Sequence, residues 1–188
     1  MQSNNDKDTT TNFPSPEKIM DNVMEGTLGE RGELFVGLQF GLVFLVIIAP
    51  LFQESIESAG LVAGLALSAA GLLLGYAGVR QLGDSLSPWP KPINSNELQT
   101  NGPFALCRHP IYGGLLITCV GLTLITSSYP RLLFSVLLLL VLDRKAEIEE
   151  QFLVDKHGES YKEYCQNTPK LLPRDLSKAA QVVADLIK

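Results

Sequence analysis

Two polar clusters hold the residues of this sequence that are best suited to chemistry. In the first, the stretch Gly102 to Gly113, the side chains of Arg108, His109 and Tyr112 follow one another closely. The second, Arg144 to Glu150, contains two basic and three acidic side chains. Such ionisable groups can bind a charged ligand or move a proton. Because each cluster adjoins an apolar segment, we expect a site at the edge of a membrane.

The apolar segments around these clusters predict membrane-spanning helices. Runs of 20, 22 and 21 residues without a formal charge occupy positions 34–53, 58–79 and 110–130. A helix needs about 20 apolar residues to cross the hydrocarbon core. The alternative is the buried core helix of a soluble protein. A fourth run, 132–142, has only 11 residues, so it spans only if its helix continues through the second cluster.

The spacing of these runs predicts a hairpin that brings the two clusters together. Pro130 breaks the chain between the third and fourth runs and can start a new helix. The open ends of that hairpin carry 109–112 and 144–150. We therefore predict an all-α membrane protein of four transmembrane helices, with a C-terminal helical hairpin and a pocket at the interface.

The distribution of lysine and arginine predicts the orientation of the chain. Fourteen of these 15 residues lie before position 34, between 80 and 108, or after 142, and only Arg131 lies elsewhere. Basic residues concentrate on the cytoplasmic side of membrane proteins. We expect both termini on the cytoplasmic or an equivalent side.

Composition excludes several function classes and suggests three regions. The net charge of −5 provides no basic face for nucleic acid. Two histidines are too few for a multi-histidine metal site, and three cysteines without a CxxC pair are expected to be free thiols. Residues 1–32 are predicted to form a disordered polar segment. Residues 33–174 then form the membrane domain, and 175–188 form a tail that is either amphipathic or weakly ordered.

A series of motifs runs in a fixed order through the second half of the chain. They are Leu82-Gly83, Ser87-Pro88-Trp89-Pro90, Leu98-Gln99-Thr100-Asn101-Gly102-Pro103-Phe104, Arg108-His109-Pro110-Ile111-Tyr112-Gly113, Glu149-Glu150, Gly158-x-x-Tyr161-x-x-Tyr164 and Leu172-Pro173. Together they resemble the signature of the isoprenylcysteine carboxyl methyltransferase-like and phospholipid methyltransferase-like family of integral-membrane methyltransferases. The resemblance covers residues 80–173, which is half of the chain.

That resemblance implies a pocket for S-adenosylmethionine between the middle loop and the last hairpin. It assigns to the cofactor Asn96, Glu97, Leu98, Gln99, Phe104, His109, Pro110, Ile111, Tyr112 and Glu149. It assigns Lys145 and Arg108 to the substrate, Lys145 standing where the carboxyl methyltransferases carry an arginine. The alternatives are an i, i+4 salt bridge between Lys145 and Glu149 and a topology anchor at Arg108.

The implied activity is methyl transfer to a lipophilic acceptor in the bilayer, either a prenylcysteine-like carboxylate or a lipid amine. No general base is assigned, although an amine would need one, and His109 and Glu150 are the candidates. Two other functions stay open at this point. One is a membrane reductase that uses NADPH, and the other is a non-catalytic binding protein of the same fold.

Overall fold

The computed structural model describes residues 13–24, 32–49, 58–90, 98–175, 177–179 and 181–182. Its α-helices are α1 (Pro16–Met24), α2 (Glu33–Ile48), α3 (Ser58–Leu82), α4 (Pro110–Thr126), α5 (Tyr129–His157) and α6 (Glu159–Asn167). Two short 3₁₀ turns, Gly83–Ser85 and Gly102–Ala105, lie in the connection between α3 and α4. The all-helical class expected from the sequence is confirmed for the described residues, which contain no strand.

Helices α3 and α4 pack along most of their length because small residues line their contact. A Cβ atom added to Gly71 would lie 2.6 Å from the carbonyl oxygen of Gly114, and one added to Gly64 would lie 2.6 Å from that of Gly121. Side chains at these positions would force the backbones apart. Glycine spacing therefore serves helix packing here, as small residues do between membrane helices.

The predicted hairpin between α4 and α5 is present. Helix α4 ends where Ser127 takes a left-handed conformation at φ 48°. The side chain of Ser128 then caps α5 by accepting a hydrogen bond from the backbone N–H of Arg131. Helix α5 continues for 29 residues to Gly158, whose φ of 58° ends it. This one continuous helix carries the second polar cluster back to the start of α4.

The structure does not confirm that all four long helices cross a membrane. In the described residues, one helical stretch, Gly60–Ser85, is long and apolar enough to do so. Helices α2 and α4 have 16 and 17 residues, which gives each about 25 Å at 1.5 Å per residue. The apolar part of α5 is shorter still. The count of four long helices therefore agrees with the prediction, while the four spans remain a proposal.

Buried Arg131 ties together the end of the bundle at which α4 and α5 are joined. Its guanidinium donates to the carbonyl oxygens of Val46 and Leu122, both at 2.8 Å, and to the hydroxyl of Thr126 at 2.9 Å. It thereby binds carbonyl oxygens near the C-terminal ends of α2 and α4, of which that of Val46 has no N–H donor at i+4 because residue 50 is proline. This contact holds α2 against the hairpin.

Residues 16–24 were expected to be disordered, but they form helix α1. Its Asn22 amide donates to the carbonyl oxygens of Asp84 and Leu86 at 2.9 and 2.8 Å. The indole N–H of Trp89 donates to the carbonyl oxygen of Val23 at 3.0 Å. The polar composition concealed an amphipathic helix that gains order from this tertiary docking.

In the tail, Ala179 and Val182 pack against a core cluster.

Candidate functional site

A cavity of about 590 Å³ lies beside the start of α4, at the end of the bundle opposite Arg131. Ligand sites commonly have volumes of roughly 300–1,000 Å³. Its walls come from α1, α2, the connection between α3 and α4, and the facing parts of α4, α5 and α6. The two polar clusters predicted to meet therefore do meet, and they do so on one cavity.

The C-terminal segment after α6 fixes the first cluster in place. The backbone N–H groups of Arg108 and His109 donate to the carbonyl oxygens of Pro169 and Lys170 at 2.8 and 3.0 Å. One turn into α4, Gly113 leaves room for this segment, since an added Cβ would lie 2.0 Å from the carbonyl oxygen of Leu171. The geometry of the loop thus depends on residues about 60 positions further along the chain.

Glu150 connects the two clusters by accepting from two neighbouring side chains. Its Oε1 accepts from Arg108 Nε at 2.8 Å and its Oε2 from Arg108 Nη2 at 3.1 Å. His109 Nε2 lies 3.0 Å from the same Oε1. Burial alone would raise the pKa of Glu150, but the hydrogen bonds from His109 and Arg108 lower it to about 2. Glu150 is therefore an anion that orients its neighbours and is poorly suited to act as a base.

Arg108 is fully engaged in holding the fold of the site. Its Nη1 donates to the carbonyl oxygens of Cys165 at 3.1 Å and Thr168 at 2.5 Å. Burial alone would lower the pKa of Arg108, but its contact with Glu150 raises it. These bonds join the loop to α5 and to the end of α6. The sequence had suggested substrate binding or a topology anchor for Arg108, and neither role predicts that it bridges the loop, α5 and α6.

The rings of His109 and Tyr112 stack beside Glu149. Their centroids are 5.3 Å apart and their planes differ by 2°. The hydroxyl of Tyr112 donates to Glu149 Oε2 at 2.9 Å, and His109 Nδ1 lies 3.6 Å from the same oxygen. All three residues line the cavity. They give it an aromatic face and a carboxylate next to each other.

Lys145 is a buried cation on the cavity wall. Its side chain donates to Gln39 Oε1 at 2.8 Å, and Nζ lies 4.9 Å from the centre of the Tyr112 ring. The salt bridge with Glu149 considered from the sequence does not form. Lys145 lies just past the apolar run 132–142 of α5, with Glu149 one turn further along the helix.

Helix α6 closes the polar side of the cavity with two tyrosines. Tyr164 donates to the carbonyl oxygen of Phe104 at 2.5 Å, which ties α6 to the 3₁₀ turn before the first cluster. Tyr161 is 1% exposed, and its ring meets that of Tyr164 edge to face at 5.9 Å. Burial raises the pKa of both phenols, so both stay neutral donors.

The structure brings most of the predicted site residues to one cavity. Those that line it are Leu98, Gln99, Phe104, Arg108, His109, Pro110, Ile111, Tyr112, Lys145 and Glu149. Asn96 and Glu97 lie outside the described residues. The structure locates these side chains on the cavity wall, and their roles in binding remain proposals.

Sequence reasoning missed several residues of the cavity wall. Ile19 and Val23 of α1, Gln39 of α2, and Trp89 all line it. Gln39 did carry a signal, because it is the one polar side chain in the apolar run 34–48. The positions in α1 carried none, since they contact the site only through a fold that local sequence does not show.

The fold and the site together describe a helical bundle that joins a polar, aromatic pocket to an apolar wall at one end. A sequence model described as phospholipid methyltransferase matches residues 59–160, which is more than half of the 188 residues. The chain belongs to this family. The match confirms the family predicted from the motifs.

Several curated proteins are similar to a segment of this chain. The protein-S-isoprenylcysteine O-methyltransferase of Schizosaccharomyces pombe is 34% identical over 77 residues, covering 40% of this chain and 33% of that protein. The cobalt-zinc-cadmium resistance protein CzcN of Cupriavidus metallidurans is 33% identical over 81 residues, covering 43% and 37%. The nickel-cobalt-cadmium resistance protein NccN of Alcaligenes xylosoxydans xylosoxydans is 30% identical over 80 residues, covering 43% and 38%. The chain spans between 33% and 38% of the length of these relatives.

The metals in the names of two relatives do not correspond to a cluster in the described structure. Among the described residues, no group of three or more His, Cys, Asp or Glu side chains is arranged to hold a metal ion. His109 itself contacts two glutamates and one tyrosine.

Proposed function

We propose that this chain is an integral-membrane methyltransferase that uses S-adenosylmethionine and modifies a lipophilic acceptor. One observation carries the proposal: a single cavity joins the ionisable and aromatic residues of the two clusters to an apolar wall formed by α1 and α2. Membership of the phospholipid methyltransferase family supports the same activity. The alternative of an NADPH-dependent reductase gains no support from these comparisons.

The polar side of the cavity has the donor set that S-adenosylmethionine requires. When bound, this cofactor supplies an electrophilic methyl group on a positively charged sulfur. Glu149 offers a carboxylate to a cationic or hydroxyl part of it, and His109 offers a ring nitrogen. Phe104, Tyr112 and Tyr161 offer faces for a flat base, which stacks on aromatic rings. These residues bind and orient, and the low exposure of His109, at 6%, helps to exclude water.

The apolar side of the cavity suits a hydrocarbon chain. Val36 and Phe40 of α2 line it together with Ile19 and Val23 of α1. Burial of such surface stabilises a bound chain by about 25 cal/mol per Å². An acceptor with a lipid tail would thus place its head group near Lys145, at the boundary between the apolar and polar walls.

We also propose that α2, α3, α4 and α5 all span the bilayer. Large apolar side chains such as Phe44, Val62 and Leu140 are more than half exposed on the outside of the bundle. Apolar patches of this extent are unfavourable in water and favourable in hydrocarbon. From the charge distribution we infer that both termini and the cavity lie on the cytoplasmic or an equivalent side.

Cysteine labelling tests this topology. The partly exposed Cys165 is first replaced by serine, because Cys107 and Cys119 are buried. Single cysteines at Ser55, between α2 and α3, and at Ser177, after α6, are then exposed to a membrane-impermeant maleimide. We expect the two positions to be labelled from opposite sides. Labelling of both from the same side would contradict the four-span topology.

Isothermal titration of the purified protein tests the cofactor. We expect S-adenosylhomocysteine to bind with a stoichiometry of one and NADPH not to bind. Saturable binding of NADPH alone would favour the reductase, and binding of neither would overturn the proposal. Transfer of a labelled methyl group from S-adenosylmethionine to membrane lipids then separates an enzyme from a binding protein of the same fold.

A further inference from the structure

Gln39 lies outside the segment of the chain that matches the family. It lies on α2, whereas the family match begins at residue 59. We propose that Gln39 is a specificity-determining residue, which together with Lys145 selects a methyl acceptor that carries a carboxylate and rejects one that carries an amine. This inference rests on the proposed function and names the class of acceptor for it.

The buried charge of Lys145 has fewer protein partners than such a charge requires. It is 2% exposed, and its partners are one amide oxygen and the face of one ring. Among the described residues, no carboxylate forms an ion pair with it. Glu149, one turn further along α5, is engaged with Tyr112 and His109 instead. Since a buried charge is costly unless it is paired, an anion in the adjacent cavity is the missing partner.

Gln39 sets both the position and the remaining bonding capacity of this cation. Its Oε1 accepts one N–H of the ammonium at 2.8 Å, which holds the ammonium at the cavity wall. The amide nitrogen of the same side chain is a donor. Gln39 thus presents donors alongside Lys145, and a carboxylate can accept from both. An amine head group brings only donors and a positive charge, so next to Lys145 it meets a like charge and is repelled.

The chemistry of methyl transfer to a carboxylate matches a site without an assigned base. The oxygen–methyl bond forms as the sulfur–methyl bond breaks, and the electron pair of that bond stays on sulfur. The sulfonium becomes a neutral thioether and the carboxylate becomes a neutral ester, so no proton has to be removed. The ester no longer carries the charge that Lys145 attracts, which favours its release.

Two ligands of equal chain length and opposite charge test this selection. Dodecanoate and dodecylamine share a 12-carbon chain, and their binding can be followed through Trp89, the single tryptophan of the chain, which lines the cavity. Titrations are run in detergent at pH 7, with and without S-adenosylhomocysteine. We expect the wild-type protein to bind dodecanoate at least tenfold more tightly than dodecylamine.

Substitutions at Gln39 separate selection from packing. Gln39→Leu is expected to weaken dodecanoate binding about three- to tenfold and to leave dodecylamine unchanged. Gln39→Glu places a carboxylate against Lys145 and is expected to reverse the preference. Gln151→Leu, on α5 but outside this cavity, is the matched control and should behave as wild type.

Several results would overturn this inference. They are equal binding of both ligands to the wild type, a preference for dodecylamine, an unchanged ratio in Gln39→Leu, or an equal loss of both ligands with a lower melting temperature. The last result would assign Gln39 a packing role. Failure of S-adenosylhomocysteine to bind the wild type would instead reject the proposed function, and the ligand ratio measured without it keeps the two failures distinct.

Discussion

Helix α5 carries two buried cations that have opposite relations to their surroundings. Arg131 and Lys145 are 5% and 2% exposed, and their separation of 14 residues places them about 21 Å apart along the helix. Arg131 donates to four protein oxygens at one end of the bundle. Lys145 donates to one, and it faces a cavity at the other end.

The comparison shows how a buried charge can be assigned to the fold or to a ligand. The guanidinium of Arg131 donates to carbonyl oxygens of α2 and α4 and so joins α2 to the hairpin, which makes this cation a stabilising part of the bundle. The ammonium of Lys145 keeps unused donors beside an open volume. The burial of the two residues is nearly the same, and the number of protein acceptors distinguishes them.

Replacing Arg131 tests the structural half of this comparison and should have the largest effect. Arg131→Met removes the guanidinium donor of the Val46 carbonyl oxygen and the bonds that join α2 to the hairpin, which is expected to cost about 2–4 kcal/mol of stability. The melting temperature in detergent should fall, while affinity for S-adenosylhomocysteine is kept in the folded fraction. A variant that melts like the wild type would show that these bonds contribute no net stability.

Replacing His109 tests the half of this comparison that concerns ligand binding. His109→Ala removes a ring that stacks on Tyr112 and contacts Glu149 and Glu150. We expect affinity for S-adenosylhomocysteine to fall about ten- to a hundredfold through loss of charge-assisted hydrogen bonds, with the protein still inserted and folded. Titration and melting are measured on the same sample. Unchanged affinity with lowered stability would show that His109 stabilises the fold and does not bind the cofactor.

A pair of glutamates on α5 sharpens the comparison within one turn of the helix. Glu149 lines the cavity, whereas Glu147 pairs with Arg144 and Lys170 away from it. Glu149→Ala is expected to weaken S-adenosylhomocysteine binding about tenfold. Glu147→Ala serves as the control with little effect, because exposed ion pairs contribute little. Equal losses in the two variants would contradict the position of the cofactor pocket.

Undocking α1 should have the smallest effect. Asn22→Ala removes two hydrogen bonds to the connection after α3, and we expect S-adenosylhomocysteine affinity to fall about two- to fivefold. Emission of Trp89 should shift to the red as its indole becomes more hydrated. Asp21→Ala, on the exposed side of α1, is the control. A spectrum identical to the wild type would show that α1 stays docked without Asn22.

The parts of the molecule predicted from the sequence are those set by local pattern. Uncharged runs and Pro130 indicated the long helices and the hairpin. The meeting of the two clusters followed from that hairpin. The residues proposed for the cofactor came from motif order, through resemblance, and most of them line the cavity.

The parts that escaped prediction depend on contacts distant in sequence. Helix α1 is short and polar, and it gains order only by docking more than 60 residues away. The partners of Glu150 and Lys145 were equally hidden, because each lies more than 40 residues from its contact. Helical spacing suggested a bond between Lys145 and Glu149, but tertiary partners outcompete the local one.

The pairing of Arg108 and His109 with Pro169 and Lys170 has a consequence for the order of assembly. Synthesis proceeds from the N-terminus, so α2 to α5 leave the ribosome before the segment that fixes the first cluster. During that interval the loop lacks two backbone partners, and the pocket has no closed polar wall. The nascent bundle therefore passes through a stage in which its helices are present and its binding site is not, and residues 169–170 end that stage.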